Sequence, residues 1–164
     1  MLGDLIIHNV GNECSDMKVE CFPGIIMEQL HTVTEYRDLG NPDTIVIHVG
    51  TNDLRQTGNL NYVTEDVYNL VNMAKSKFST FRVVLSGVLR RQDLSWRHIR
   101  AVNSRYEWVA QTLGVTFVDP NNWVDDWDFG RDGLHINRSG ERYLGQPYSR
   151  VCRIGGRRQN MRSA

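Results

Sequence analysis

The chain has 164 residues, of which 40% are hydrophobic and 23% charged, with nineteen basic against nineteen acidic side chains. That length suits one domain with a real core, and the composition is that of an ordinary soluble globular protein. The balance excludes a strongly basic protein, but the charge is uneven: Arg150, Arg153, Arg157, Arg158 and Arg162 close the chain with no acid among them, leaving the body to residue 149 five charges negative.

In chain order, MLGDLIIHNV places a Gly-Asp pair two residues in, with an apolar run directly behind it. KVECF, 18–22, is a weak strand that ends at Pro23-Gly24, and 25–33 suits a helix. Gly40-Asn41-Pro42-Asp43 is a turn, and TIVIHVG, 44–50, is the strongest strand signal. His48 alternates within that run and is expected to be a satisfied core histidine. Val67, Leu70, Val71, Ala74 and Phe78 recur at helical spacing before a second strand, FRVVLSGV, 81–88. Ile99, Val102, Tyr106, Val109, Ala110 and Leu113 mark a stronger helix stopped by Gly114, with Trp108 expected on its core edge. VTFVD, 115–119, is a third strand. A last helix runs from about Ser139 through Tyr143 and Leu144, and Gly145-Gln146-Pro147 is expected to break or kink it.

Strands alternating with helices imply right-handed βαβ units and a helix-covered parallel sheet. Function then gathers in the loops after the strands' carboxyl ends, here Gly50-Thr51-Asn52-Asp53, Ser86-Gly87 and the segment after Asp119-Pro120. In HVGTNDLR, Gly50 lets the chain turn and Asn52 offers a neutral amide donor suited to an oxyanion, or the stretch is a polar turn. In RDGLHINRSGERYLG, Asp132 is spaced to accept a bond from the His135 ring, fixing its tautomer and leaving the other nitrogen as a base, or the two share no task. Asn137 or Ser139 suits the cap of the helix that follows. Trp123 and Trp127, in NNWVDDWDFG, either line an acyl or alcohol pocket or cover the loop.

Taken together, GTND after a buried strand and DGLHIN before a terminal helix resemble the SGNH (GDSL-type) hydrolases. The wording HVGTNDLR with DGLHINRSGERYL looks most like the esterase domains of first-open-reading-frame proteins in LINE-type (non-LTR) retrotransposons. The resemblance implies a three-layer α/β/α, flavodoxin-like parallel sheet. It also implies an oxyanion hole from the Gly24 backbone and the Asn52 side chain, with His135 as base oriented by Asp132. A small ester or lipid-like substrate is implied, and no metal or organic cofactor.

Three features depart from that pattern. The first block reads Gly3-Asp4-Leu5 where the family has Gly-Asp-Ser, so Leu5 occupies the nucleophile position; Ser15 and Ser86 are poor replacements by their placement. Only Met1 and Leu2 precede Gly3, so the first strand is truncated, and self-association through a strand donated by another chain is one remedy. The third is Pro147. The expectation is therefore a hydrolase-like domain over 1–149, inactive or impaired, followed by a basic, disordered tail over 150–164 that suits weak nucleic-acid contact. Two alternatives stay open: an active ester hydrolase with another nucleophile, and a non-catalytic binding or assembly module.

No apolar run approaches the roughly 20 residues that span a bilayer, and the start lacks a signal-peptide pattern, so cytosolic residence is expected. Cys14, Cys21 and Cys152 are odd in number and read as free thiols in a reducing compartment. His8, His31 and His98 lack metal-like spacing, so no metal site is expected.

Overall fold

The computed structural model describes the backbone of residues 1–11 and 16–162, and the side chains up to residue 152 except that of Leu5. Cys14 and Ser15 lie outside the described residues.

The apolar runs form five strands: β1 (Leu2–Gly3), β2 (Glu20–Cys21), β3 (Thr44–His48), β4 (Arg82–Ser86) and β5 (Thr116–Val118). All pair in parallel, in the order β2-β1-β3-β4-β5. The helices are α1 (Met27–Tyr36), α2 (Thr51–Gln56), α3 (Leu60–Lys77), α4 (Trp96–Leu113) and α5 (Arg138–Arg162). This is the expected three-layer α/β/α arrangement with flavodoxin-like strand order.

Alternation along the strands sorts the two layers. Ile45, Ile47, Val83 and Leu85 pack with Leu30 of α1, Val67 and Leu70 of α3, and Val102, Tyr106 and Val109 of α4. On the other face, Val46 and Val84 pack with Leu144 and Tyr148 of α5 and with Ile7 and Val10 from the start of the chain. β1 is interior, as expected, and two residues long. It pairs with Glu20 and Cys21 on one side and with Ile47 and His48 on the other. β2 is equally short because its ladder partner is. Beside Met1, a cavity of about 500 Å³ is walled by Lys18 and Glu20 on one side and Thr44, Ile45 and Val46 on the other.

Two expectations are corrected. Trp108 is 53% exposed: it lies two residues from Tyr106, about 200° around α4, on the side away from the core. Pro147 does not end the last helix; α5 continues through it. Leu144 and Tyr148, on either side of the proline, are fully buried in the core, and their packing offsets the missing backbone hydrogen bond. The helix also carries through the boundary drawn at 149/150. There the Val151 carbonyl accepts Arg82 Nη1–H at 2.8 Å, and Arg150 lies 5.5 Å from the Trp123 ring centre.

Candidate functional site

Strand order reverses between β1 and β3: the chain leaves β1 for β2 on one side and leaves β3 for β4 and β5 on the other. The crevice at the carboxyl ends of two such strands is the usual ligand position in an open parallel sheet. The residues that follow β1 and β3 are those singled out from the sequence. After β1 the chain enters a short helical turn, Leu5–Ile7, whose first residue is Leu5. After β3 it passes Val49 and Gly50 into α2, and Asn52 lies in the first turn of that helix.

Gly50 has φ 129°, and a Cβ there would collide with the Tyr106 hydroxyl, so the turn requires glycine. Tyr106 uses that hydroxyl to donate to the Val49 carbonyl at 2.9 Å. The Asn52 amide donates through Nδ2 to the Ile25 carbonyl at 3.0 Å. This bond draws Asn52 to the loop bearing Gly24, whose φ of 74° lies in the left-handed region. Asp53 fastens the same loop: its Oδ1 accepts the Met27 N–H at 3.1 Å, at the start of α1. Burial pushes the Asp53 carboxyl up, partly opposed by that Met27 N–H.

The second half of the site comes from the loop between β5 and α5. Phe129 and Ile136 form an antiparallel bridge, and Gly130 N–H donates to the His135 carbonyl at 2.8 Å. Within this hairpin Asp132 Oδ1 accepts the N–H of Leu134 at 3.0 Å and of His135 at 3.1 Å. Its Oδ2 lies 2.6 Å from His135 Nδ1. The His135 hydrogen bond, followed by the two backbone N–H groups, holds the Asp132 carboxyl far below the usual carboxylate range. An ionised Asp132 takes a proton on Nδ1, so the lone pair of the neutral ring is on Nε2. The pair is open to solvent, with the His135 side chain 59% exposed.

Two supports escaped the sequence reading. Gln92, in the loop after β4, donates its N–H to the Gly133 carbonyl at 3.1 Å and rests its side chain against Gly133. Asn103 of α4 is buried, donates to the Val88 carbonyl at 2.9 Å and accepts the Val88 N–H at 2.7 Å. A polar residue on the apolar face of a helix was the available signal. Asn137 caps α5, its Oδ1 accepting the Gly140 N–H at 3.0 Å, and its Nδ2 donates to the Trp127 carbonyl at 2.7 Å.

The structure thus joins Asn52 to the Gly24 loop and Asp132 to His135, while no hydrogen bond among the described residues joins the first pair to the second. Trp123 is half-buried against Arg150, and Trp127 is 89% exposed. Ser86 is fully buried. Neither Cys21 nor Cys152 is in a disulfide. Among the described residues no group of three His, Cys, Asp or Glu side chains could hold a metal, and no helix is long and apolar enough to cross a membrane. Chemically, the arrangement offers an oriented base and a neutral amide donor beside a left-handed glycine.

No curated protein sequence matches the chain. Solved structures do. A protein assigned as an acylhydrolase from Bacteroides fragilis aligns with a TM-score of 0.79 at 18% identity, over 93% of this chain and 85% of that one. A member of the lipolytic G-D-S-L family from Veillonella parvula aligns at 0.74 and 16% identity, over 92% and 94%. A family 3 carbohydrate esterase from Clostridium thermocellum aligns at 0.71 and 16%, over 93% and 95%. At these identities the likeness is one of fold. The sequence profile of the GDSL-like lipase/acylhydrolase family matches residues 23–143, leaving β1 and Leu5 outside the matched stretch. That match spans well over half of the sequence, and the chain belongs to the GDSL-like lipase/acylhydrolase family.

Proposed function

We propose that this domain is an ester-hydrolase site of the GDSL type with its oxyanion donors and its base in place and its nucleophile lost. The observation that carries the reading is the 2.6 Å contact between His135 Nδ1 and Asp132 Oδ2, since a carboxylate bound to one ring nitrogen makes the other a base of fixed direction. Asn52 and the Gly24 backbone N–H are the oxyanion donors. Leu5 stands at the nucleophile position. A leucine has no hydroxyl for His135 to deprotonate, and turnover falls to what oxyanion binding alone supplies.

Replacement nucleophiles have little support: Ser86 is sealed in the core. Trp123 and Trp127 flank the loop that leads to His135 and are assigned to the acyl or alcohol side of a small ester. The retrotransposon-type ancestry rests on the wording of HVGTNDLR and DGLHINRSGERYL alone. Cytosolic location, the basic 150–164 tail as a nucleic-acid contact, and self-association belong to the same reading and call for separate tests.

Hydrolysis of 4-nitrophenyl acetate by four proteins decides the matter: the natural chain, Leu5→Ser, and each with His135→Ala. The natural chain should match its His135→Ala variant. Leu5→Ser should raise kcat/KM by at least about 10³-fold, an increase lost with His135→Ala. Strong turnover by the natural chain that disappears with His135→Ala would establish another nucleophile and refute the reading. Absence of activity in Leu5→Ser would show that the site does not assemble.

A further inference from the structure

Four buried polar side chains cross the sheet in one line: Asp4 ahead of the Leu5–Ile7 turn, His48 on β3, Ser86 on β4 and Tyr148 on α5. Their exposures are 4%, 1%, 0% and 0%. His48 Nδ1 lies 2.8 Å from Ser86 Oγ, and Ser86 Oγ lies 2.6 Å from the Tyr148 hydroxyl. The Gly87 carbonyl is a second acceptor for Ser86, at 3.1 Å. His48 Nε2 faces Asp4 Oδ1 at 4.0 Å, too far for a hydrogen bond but close enough for charge to matter at full burial.

Counting protons orders the line. Ser86 and Tyr148 carry one hydroxyl proton each, and a neutral imidazole carries one N–H. Either hydroxyl of the Tyr148–Ser86 contact can donate; with Tyr148 as the donor, its proton has Ser86 Oγ as its acceptor. The Ser86 proton then goes either to the Gly87 carbonyl or to His48 Nδ1. In the first arrangement His48 is protonated on Nδ1 and turns the lone pair of Nε2 toward a buried carboxylate. In the second the Nε2–H faces that carboxylate, and every joint pairs a donor with an acceptor or opposite partial charges.

We propose that His48 is a positioning residue of the site: held as its Nε2–H tautomer by Tyr148 and Ser86, it fixes the Asp4 carboxylate and with it the turn that presents residue 5 and its backbone N–H. Asp4 carries the effect into the backbone. Its Oδ1 accepts the Ile6 N–H at 3.2 Å, and its own N–H donates to the His48 carbonyl at 3.2 Å. The proposal deepens the reading above and rests on residue 5 standing at the nucleophile position. Asp4, Ser86 and Tyr148 are the charged or hydroxyl groups that face His48 from the elements packed on it.

The test uses the whole chain with ¹⁵N-labelled histidine and a uniformly labelled sample. His48 should give the Nε2–H tautomer signature at pH 7. Tyr148→Phe keeps the ring and removes only the hydroxyl. It should move the backbone amide resonances of residues 4–7, speed exchange of the Ile6 N–H by about tenfold, and leave the amides of residues 132–135 in place. In the Leu5→Ser background, Tyr148→Phe should lower kcat by about tenfold at unchanged KM. An Nδ1–H tautomer, or unmoved amides at 4–7, would overturn the proposal. If Leu5→Ser has no turnover at all, the esterase reading fails while the tautomer and amide measurements still decide the role of His48.

Discussion

Replacing Asn103 by leucine tests whether α4 truly holds the loop after β4. The two side chains are close in size, so the change opens no large cavity. It removes both bonds to Val88: the donated one at 2.9 Å and the accepted one at 2.7 Å. The losses are unequal. The Val88 carbonyl keeps a second donor, Asn121 Nδ2 at 2.9 Å, so its share is one ordinary hydrogen bond, about 1 kcal/mol. The Val88 N–H is left buried without an acceptor, which costs about 1–3 kcal/mol. A total of about 3 kcal/mol, at about 2–4 °C per kcal/mol for a chain of this length, lowers Tm by roughly 6–12 °C. Calorimetry of the natural chain and the variant measures the shift, and exchange of the Val88 amide localises it. A change below about 2 °C, with Val88 exchange unaltered, would refute the assignment of Asn103 as the tie.

Three further outcomes are expected. Tyr106→Phe strips the hydroxyl from the Val49 carbonyl and should cost about 1–2 kcal/mol in urea unfolding, with m unchanged. Asp132→Asn removes the carboxylate that fixes His135; in the natural chain the Asp132 carboxyl, titrated by carbon NMR, should stay ionised well below the usual range, and in the Asn variant the His135 ring should lose its Nδ1–H preference. Burial lowers the pKa of His48, partly opposed by Asp4. The unfolded chain therefore takes up a proton there before the folded one does, so the stabilisation is complete above the ordinary histidine value of about 6.5 and is lost as pH falls below it. Tm should decline as pH drops from 7 to 5, and His48→Gln should flatten that decline.

How much of this was readable in the sequence follows from the range of the interactions. β3 and β4 came out to within two residues because an apolar strand bounded by Pro42, Gly50 and Gly87 carries its own signal. β2 lies within the expected 18–22 but shrinks from five residues to two, matching the two residues of β1 opposite it. The Asp132–His135 pair was readable because the two residues are only three positions apart, which makes the contact local. Asp53, Gln92 and Asn103 act on residues 26, 41 and 15 positions away, and nothing nearby in the chain announces them. Asn103 is the partial exception: it falls between Ile99 and Tyr106 on the buried face of α4, where an amide needs a partner. Trp108 and Pro147 failed for related reasons. A tryptophan's size says nothing about its angle around a helix, and a proline's penalty is a local term that buried neighbours can outweigh.

Position 5 brings these ranges together. On the esterase reading, a nucleophile contributes a side chain, while the groups around it are set largely by backbone: the Gly24 N–H by a left-handed turn, the residue 5 N–H by the turn after β1, Asn52 by its bond to the Ile25 carbonyl. None of these depends on a hydroxyl at position 5. The Asp132–His135 hairpin is self-contained, closed by its own backbone bonds. On that reading, a leucine in place of the serine removes the reaction without removing the scaffold. For the same reason one substitution, Leu5→Ser, is a sufficient test of the whole arrangement.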